Sequence, residues 1–195
     1  EGLIETPADL EGCEIRLREK GIVLALRLAA RCASRDGTPR RNLTGRTGCG
    51  LCGTDDLDRV VRLPERALPS TPIRAAALER AMQELARRQP LGQATGATHA
   101  AGFCSVDKLI GALLRAALDP GEGFVAVTSR ASVEMVQKTA LAGVSILAAV
   151  SAPTQLAIQC ARDANLLLAG FVREDRATIY AGASRVRVGE GVAWT

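Results

Sequence analysis

The fold is decided by residues 124–172, which read FVAVTSRASVEMVQKTALAGVSILAAVSAPTQLAIQCARDANLLLAGFV. Three short apolar runs of strand length occur within it, at residues 124–128, 145–150 and 166–172. Between them, apolar side chains recur at helical spacing, which predicts helices over residues 133–141 and 154–163. Apolar strands that alternate with helices indicate β-α-β units, whose strands are parallel and buried on both faces. The stretch therefore predicts an α/β fold with a mostly parallel sheet flanked by helices.

The segments on either side of this stretch extend the pattern. A helix is predicted to open at Thr71-Pro72, with the proline in its first turn, and to end near Arg88. A second helix is predicted over residues 106–118, before the turn sequence Asp119-Pro120-Gly121. A last strand, residues 178–181, is expected at an edge of the sheet.

The N-terminal part of the chain differs in character. Apolar runs at residues 13–18 and 22–28 flank Glu19-Lys20-Gly21 and predict a β-hairpin. Residues 32–53 are polar and rich in arginine and glycine, which predicts a long exposed loop. We therefore divide the chain into a smaller strand- and loop-rich portion, residues 1–71, and an α/β cofactor-binding domain, residues 72–195.

Composition limits the classes of function. The chain has 195 residues, a formal net charge of +4 carried mostly by arginine, six cysteines and 3% aromatic residues. So few aromatic side chains argue against the stacking platforms of single-strand nucleic-acid binders, and no apolar run is long enough to span a bilayer. Cysteines this sparse indicate a reducing, cytoplasmic location and not a disulfide scaffold. The arginines suit an anionic ligand, although a solvated surface explains the same charge.

Polar residues follow two neighbouring strands of the predicted sheet. Residues 128–132 follow one strand and residues 151–154 follow the next. Ligands of open parallel sheets bind at such strand ends, where helix N-termini offer free N–H groups to anions. The alternative is that Ser132 and Ser151 only cap the two helices. Because two adjacent strand ends share this chemistry, we predict a phosphate-bearing ligand there, contacted by Ser129, Arg130, Ser132, Ser151 and Thr154.

A second candidate site lies at residues 46–53, which read RTGCGLCG. Glycines next to Cys49 and Cys52 favour an irregular loop that another molecule can reach. Arg40, Arg41 and Arg46 stand just upstream, and nearby cations lower the pKa of a thiol. A Cys-x-x-Cys pair by itself is equally typical of half a zinc site or of a redox pair.

Six motifs together resemble the formate dehydrogenase accessory sulfurtransferase family, usually called FdhD. They keep the family's order and span nearly the whole chain: residues 45–53 (GRTGCGLCG), 95–101 (TGATHAA), 106–111 (VDKLIG), 129–138 (SRASVEMVQK), 149–154 (AVSAPT) and 170–173 (GFVR). The resemblance implies an α/β portion similar to the cytidine-deaminase fold and a homodimer.

The resemblance also implies a function. Members of the family take persulfide sulfur from a cysteine desulfurase and pass it to the bis-molybdopterin guanine dinucleotide cofactor, with molybdenum or tungsten, which then enters formate dehydrogenase. A guanine nucleotide is expected to mimic this cofactor. Cys49 matches the cysteine that carries the persulfide, and Cys52 would be its partner. The family's cofactor-contacting stretch matches Phe171, Val172, Arg173, Glu174, Asp175 and Arg176, where the two acids depart from the pattern.

Other residues fit the cofactor that the resemblance implies. Lys138 and the arginines suit its phosphates, in addition to the serines at the strand ends. Thr98 and His99 lie in a family motif and are assigned to the ligand pocket, although a lone histidine is often a structural hydrogen-bonding group. Glu134 would accept hydrogen bonds from a guanine, but a glutamate in the first turn also favours the helix dipole, which we prefer. No metal ligands are predicted.

The sequence departs from the family's pattern in two places. The family begins well before the equivalent of Glu1, and a family loop with its own histidine is absent between Cys104 and Ser105. Either the protein has lost this segment or the sequence omits residues there, and we expect the second because Phe103 and Val106 match the family on either side. Two alternative functions stay open. The first is a carrier that binds the cofactor without sulfur transfer, and the second is a metal or redox protein built on Cys49 and Cys52.

Overall fold

A computed structural model describes residues 4, 6–18, 21–35, 61–88, 103–173 and 176–189. The described residues form an α/β fold, as predicted. Its α-helices are α1 (Ala75–Arg87), α2 (Phe103–Arg115), α3 (Val133–Leu141) and α4 (Gln155–Asp163). Its strands are β1 (Leu10–Arg18), β2 (Gly21–Leu28), β3 (Ile73–Arg74), β4 (Val125–Val127), β5 (Ile146–Ala149), β6 (Leu167–Gly170), β7 (Thr178–Ala181) and β8 (Val186–Arg187).

The main sheet has the strand order β4-β5-β6-β7. β4, β5 and β6 are parallel, and β7 closes the edge beside β6 in the antiparallel direction. The β-α-β units predicted over residues 124–172 are therefore confirmed, and so is the edge strand at residues 178–181. Helix α3 spans the predicted residues 133–141, while each parallel strand is one or two residues shorter at its ends than the apolar run that predicted it.

Both faces of the parallel strands are buried, which explains why their sequences are continuously apolar. Leu147 and Ala149 pack into the core shared with α3 and α4. The alternate residues Ile146 and Ala148 pack into a second core with Leu78 of α1. The sheet is thus sandwiched between α1 on one face and α3 and α4 on the other.

Two helix boundaries differ from the prediction. Helix α1 begins at Ala75 and not at Thr71-Pro72, because Ile73 and Arg74 pair in parallel with Val186 and Arg187 as the short strand β3. Helix α2 begins and ends three residues earlier than the predicted range 106–118, and Ala117 beyond it has a left-handed φ of 51°. Its course runs without interruption across Cys104 and Ser105.

The β-hairpin predicted from residues 13–18 and 22–28 is confirmed. β1 and β2 are antiparallel, and Ile15 lies opposite Leu24 while Leu17 lies opposite Ile22. Directly opposed residues share a face, so these four side chains form one exposed apolar face. Of the predicted loop over residues 32–53, residues 32–35 lie in a 3-10 helix, and the remainder lies outside the described residues.

Arg185 joins the elements at the amino ends of the strands. This buried side chain donates to the carbonyl oxygens of Thr71 (3.0 Å), Asn165 (2.9 Å) and Ser145 (3.1 Å), and to the hydroxyl of Ser145 (3.0 Å). Burial lowers the pKa of Arg185 from its ordinary value. The four acceptors are neutral dipoles that replace water around the buried guanidinium, as a buried cation requires.

The division of the chain at residue 72 stays a prediction, although Leu63 and Leu68, which precede it, pack against the core of the main sheet. Among the described helices, none combines the length and the hydropathy that a bilayer crossing requires.

Candidate functional site

The candidate site is built from the loops that leave the carboxyl ends of β4, β5 and β6. Backbone hydrogen bonds join each loop to the next. The N–H of Thr154, after β5, donates to the carbonyl of Ala131, after β4 (3.1 Å), and the N–H of Phe171, after β6, donates to the carbonyl of Ser151 (3.4 Å). The structure thus brings the two predicted phosphate-binding segments and the start of the 171–176 stretch to one edge of the sheet.

Ser132 and Thr154 cap the two helices on one side of this edge. The Ser132 hydroxyl accepts the N–H of Met135 (3.4 Å), and the Thr154 hydroxyl accepts the N–H of Ala157 (3.2 Å). Both residues are in extended conformation and satisfy one N–H of the first helical turn, as N-cap residues do. The capping expected of Ser132 is therefore confirmed, whereas the second helix is capped by Thr154 and not by Ser151. A role of these residues in phosphate binding stays a prediction.

The remaining strand-end residues differ in exposure. Arg130 is exposed, and Ser129 and Ser151 are half-buried. The Ser129 hydroxyl donates to the carbonyl of Arg130 (3.2 Å) and contacts Sδ of Met135 (3.6 Å). Arg130 is therefore the most exposed of these three side chains, which suits a phosphate contact.

The start of the 171–176 stretch has an unusual backbone. Phe171 has a left-handed φ of 51° and is 42% exposed, although large apolar residues are normally buried. The N–H of Arg173 donates to the carbonyl of Arg176 (2.8 Å), which holds these two backbone positions together. Strained non-glycine backbone of this kind is concentrated at ligand sites, which fits the predicted role of the stretch.

Arg173 and Arg176 line a cleft of about 440 Å³. Residues of helix α1 line the cleft as well, together with Val150 and Val172, which lie just beyond β5 and β6. A cleft at the carboxyl edge of a parallel sheet is the usual ligand site of such folds, and its volume suits a small ligand or one end of a larger one.

Helix α1 contributes to this lining two polar residues that the sequence analysis missed, Glu79 and Gln83. They share one face of the helix with Met82 and Ala86, since positions i, i+3, i+4 and i+7 lie together. One carboxylate oxygen of Glu79, Oε1, is buried and has no hydrogen-bond partner. The sequence signal for these residues was weak: two polar side chains beside the apolar stripe of a helix.

Lys138 lies in an ion-pair cluster between α3 and α2. Its Nζ is 2.6 Å from Oδ2 of Asp107 and 3.0 Å from Oε1 of Glu134, and its side chain is 13% exposed. Burial by itself lowers the pKa of Lys138, but hydrogen bonds with Asp107 and Glu134 and their charges outweigh it, so that the pKa is raised. These contacts give Lys138 a structural role, and its predicted contact with phosphate stays a prediction.

Six predicted site residues lie outside the described residues. They are Cys49, Cys52, Thr98, His99, Glu174 and Asp175.

Comparisons with known proteins agree with the motifs. A model of the FdhD/NarQ family matches residues 1–187. The chain belongs to the FdhD/NarQ family. It is 44% identical over 205 residues to a protein of Bordetella petrii, with 96% of this chain and 74% of the relative covered. It is 42% identical over 204 residues to a protein of Cupriavidus necator, with 96% and 71% covered. Both relatives are named sulfur carrier protein FdhD.

A crystal structure supports the fold of this FdhD/NarQ chain. The chain resembles a proposed formate dehydrogenase accessory protein from Desulfotalea psychrophila, with a TM-score of 0.65 and 17% identity. The match covers 95% of this chain and 74% of the other. At this identity the likeness concerns the fold, so the chemistry of the site is argued from the residues of this chain.

Proposed function

We propose that this FdhD/NarQ protein carries persulfide sulfur from a cysteine desulfurase to the bis-molybdopterin guanine dinucleotide cofactor of a formate dehydrogenase. The family membership over residues 1–187 carries this proposal, since the relatives are named sulfur carriers. The metal of the cofactor, molybdenum or tungsten, is part of the cargo. We place the reaction in the cytoplasm and expect the protein to act as a homodimer.

The geometry of the strand-end edge supports binding of a large anionic ligand. Arg130, Arg173 and Arg176 are exposed at or next to this edge, where the loops after the parallel strands are joined by hydrogen bonds. Guanidinium groups bind phosphate oxygens through paired N–H donors. The pyrophosphate groups of a dinucleotide therefore match the charge of this edge.

The sulfur transfer is assigned to Cys49, with Cys52 as its partner. The Cys49 thiolate attacks the outer sulfur of the desulfurase persulfide. A new sulfur–sulfur bond forms on Cys49 as the desulfurase bond breaks, and the desulfurase cysteine leaves as a thiolate, so that no external oxidant is needed. Arginines upstream of Cys49 favour the thiolate form that such an attack requires.

Intact-mass analysis after incubation with a cysteine desulfurase and cysteine tests the proposal. We expect the wild-type protein to gain one sulfur atom and Cys49→Ala to gain none. Cys13→Ala is the matched control, because Cys13 is an exposed thiol on the hairpin, and it should load like the wild type. The amount of sulfur loaded onto Cys52→Ala, compared with Cys49→Ala, shows which of the two thiols receives the sulfur first.

Two outcomes would replace the proposal. Binding of the cofactor without any gain of sulfur would make the protein a carrier that does not transfer sulfur. One zinc per chain, or activity that follows a reversible Cys49–Cys52 disulfide, would make it a metal or redox protein. Formate dehydrogenase activity in a strain that carries only Cys49→Ala would also contradict the assignment of Cys49.

A further inference from the structure

A second cavity lies at the amino edge of the main sheet, opposite the edge that carries the candidate site. It has a volume of about 470 Å³, and its lining includes Phe124 and Ile146, which stand at the amino ends of β4 and β5. The segment around β3, the strand β8 and the turn before β4 supply most of the remaining lining. The proposed sulfur transfer uses neither this cavity nor the residues that line it.

Two arginines of this lining lie side by side. Arg74 of β3 and Arg187 of β8 are register partners in a parallel pair, and both line the cavity. The preceding residues of the two strands, Ile73 and Val186, pack into the core with Leu78. Because successive side chains of a strand point to opposite faces, the two guanidinium groups extend from the same face of the ribbon. Like charges directly opposite each other on neighbouring strands are unfavourable, and a bound anion would relieve their repulsion.

The described part of the chain does not neutralise this pair. The guanidinium groups of Arg74 and Arg187 make no hydrogen bond or ion pair with any described residue. Glu122 also lines the cavity, but it is exposed and forms no ion pair with either arginine among the described residues. Two guanidinium groups therefore face one carboxylate around this cavity, and the positive charge left over would be balanced by an anion.

The other residues of the lining are mostly apolar. They are Pro72, Ile73, Ala77, Phe124 and Ile146, with Thr71 and Gly123 completing the set. Guanidinium groups bind phosphate or carboxylate through paired N–H donors, whereas aliphatic and aromatic side chains favour an apolar ligand body. The volume is in the range of small-molecule sites. The lining therefore matches a small organic anion.

We propose that this cavity is a second ligand site, in which Arg74 and Arg187 together bind the phosphate or carboxylate group of a small organic anion and the apolar residues contact its body. The pairing of β3 and β8 fixes the two arginines at adjacent positions, so that one anionic group reaches both. This inference does not rest on the proposed function, because the cavity and the sulfur-carrying motif share no residue.

Titration followed by amide proton–nitrogen correlation spectra tests the proposal. The probes are phenyl phosphate, phenylacetate and inorganic phosphate. We expect phenyl phosphate to shift the amide signals of Ala77 and Phe124 in a saturable way, and inorganic phosphate to bind more weakly because it lacks the ring. Arg74→Gln and Arg187→Gln should each weaken binding of phenyl phosphate roughly tenfold or more, the effect of losing a hydrogen bond between charged groups. Tighter binding of phenylacetate than of phenyl phosphate would assign the site to a carboxylate, and weaker binding would assign it to a phosphate.

The matched control is Arg80→Gln on helix α1. Arg80 is exposed and lines neither of the two cavities, so this variant removes the same charge from a neighbouring surface. It should bind phenyl phosphate like the wild type. Arg173→Gln removes a guanidinium group from the carboxyl edge of the sheet and should leave the shifts of Phe124 unchanged. Thermal unfolding of each variant shows that the fold is retained.

Four outcomes would overturn the proposal. The first is the absence of a saturable shift with either organic probe. The second is equal binding of phenyl phosphate by the wild type and by both Arg74→Gln and Arg187→Gln. The third is loss of binding in Arg173→Gln, which would place the anion at the carboxyl edge. The fourth is equal affinity for phenyl phosphate and inorganic phosphate, which would contradict the apolar contact and with it the class of ligand.

Discussion

Gly170, the last residue of β6, approaches Tyr180 of β7 so closely that a Cβ on Gly170 would lie 2.8 Å from Cε2 of the ring. The same Cβ would lie 3.0 Å from Cδ of Pro153 and 3.2 Å from the carbonyl oxygen of Ser151. Both of these residues belong to the loop after β5. The absence of a side chain at residue 170 therefore sets the spacing between this loop and the backbone that leads into Phe171.

Gly170→Ala should lower the free energy of unfolding by about 1–3 kcal/mol, because the added methyl group forces neighbouring backbone to move. We also expect weaker binding of guanosine diphosphate, since the movement displaces the backbone that leads to Arg173. Urea unfolding and calorimetric titration measure the two effects. Gly111→Ala is the control: nothing lies within 4 Å of its added Cβ, and alanine inside α2 should stabilise by about 0.5–1 kcal/mol. Equal stability of Gly170→Ala and wild type would contradict this account of the site.

The cap of α4 gives a prediction that separates capping from phosphate binding. Thr154→Ala should lower the free energy of unfolding by about 1 kcal/mol, whereas Thr154→Asp should retain it, because aspartate is a good N-cap residue. Aspartate would, however, repel a phosphate at the same position. Urea unfolding tests the cap, and loss of stability in Thr154→Asp would contradict it. Titration with guanosine diphosphate then decides the site prediction: weaker binding by Thr154→Asp with unchanged stability would place a phosphate beside Thr154.

The ion pairs of Lys138 predict a stability effect with a defined pH range. Lys138→Met should lower the free energy of unfolding by about 2 kcal/mol. This loss lies between those for an exposed and a buried ion pair, because Asp107 is half exposed while Glu134 is mostly buried. The pKa of Lys138 is raised in the folded protein above its ordinary value of 10.5. A raised pKa means that the folded state holds the proton more tightly. The ion pairs of Lys138 therefore contribute fully to the free energy of unfolding below about pH 10.5, and this contribution is lost as the pH rises through the folded-state pKa of Lys138.

Unfolding of wild type and Lys138→Met in urea between pH 7 and pH 11 measures this difference. We expect a constant difference up to about pH 10 and a smaller one above it. A difference that vanishes between pH 7 and pH 9 would show that the pairs do not stabilise the protein. Binding of guanosine diphosphate should be unchanged in the variant, and a tenfold loss would instead support the predicted contact of Lys138 with phosphate.

The architecture could be predicted from the sequence because the buried strands carry their own signal. Residues 146–149 are apolar at every position, and the structure divides them between two cores, Ile146 and Ala148 towards α1, Leu147 and Ala149 towards α3 and α4. A strand buried on both faces cannot tolerate polar side chains, so its apolar composition indicates that it lies in the interior of the sheet. The alternation with helices then fixes the parallel order.

Features that depend on distant contacts gave no such signal. The two-residue strands β3 and β8 are too short for any periodicity, yet their pairing moved the start of α1 from Thr71-Pro72 to Ala75. Arg185 was one of many arginines that suggested a solvated surface, but it is buried by acceptors from three other parts of the chain. Glu79 is similar, because its place in a cleft depends on the residues beyond β5 and β6 and not on its neighbours in sequence.

The described thiols give a last prediction, which bears on every sulfur-transfer measurement. Cys160 and Cys32 are 2% and 3% exposed, whereas Cys13 is exposed. Burial, assisted by the charge of Asp163, also raises the pKa of Cys160 above its ordinary value of 9.0. Thiolate and access are both needed for attack on an electrophile. In the native protein at pH 8, iodoacetamide should therefore modify Cys13 readily, and Cys32 and Cys160 roughly a hundredfold more slowly or not at all, since they react only after local opening.

Peptide mass analysis after timed alkylation measures the rates, and the urea-unfolded protein, in which all thiols should react alike, is the control. Because Cys160 keeps its proton until the pH exceeds 9.0, its protection should persist even in mildly alkaline buffer. Sulfur found on Cys32 or Cys160 after incubation with a desulfurase would then indicate unfolding and not transfer. Reaction of Cys160 as fast as that of Cys13 in the native protein would contradict its burial, and with it the packing of α4 on the sheet.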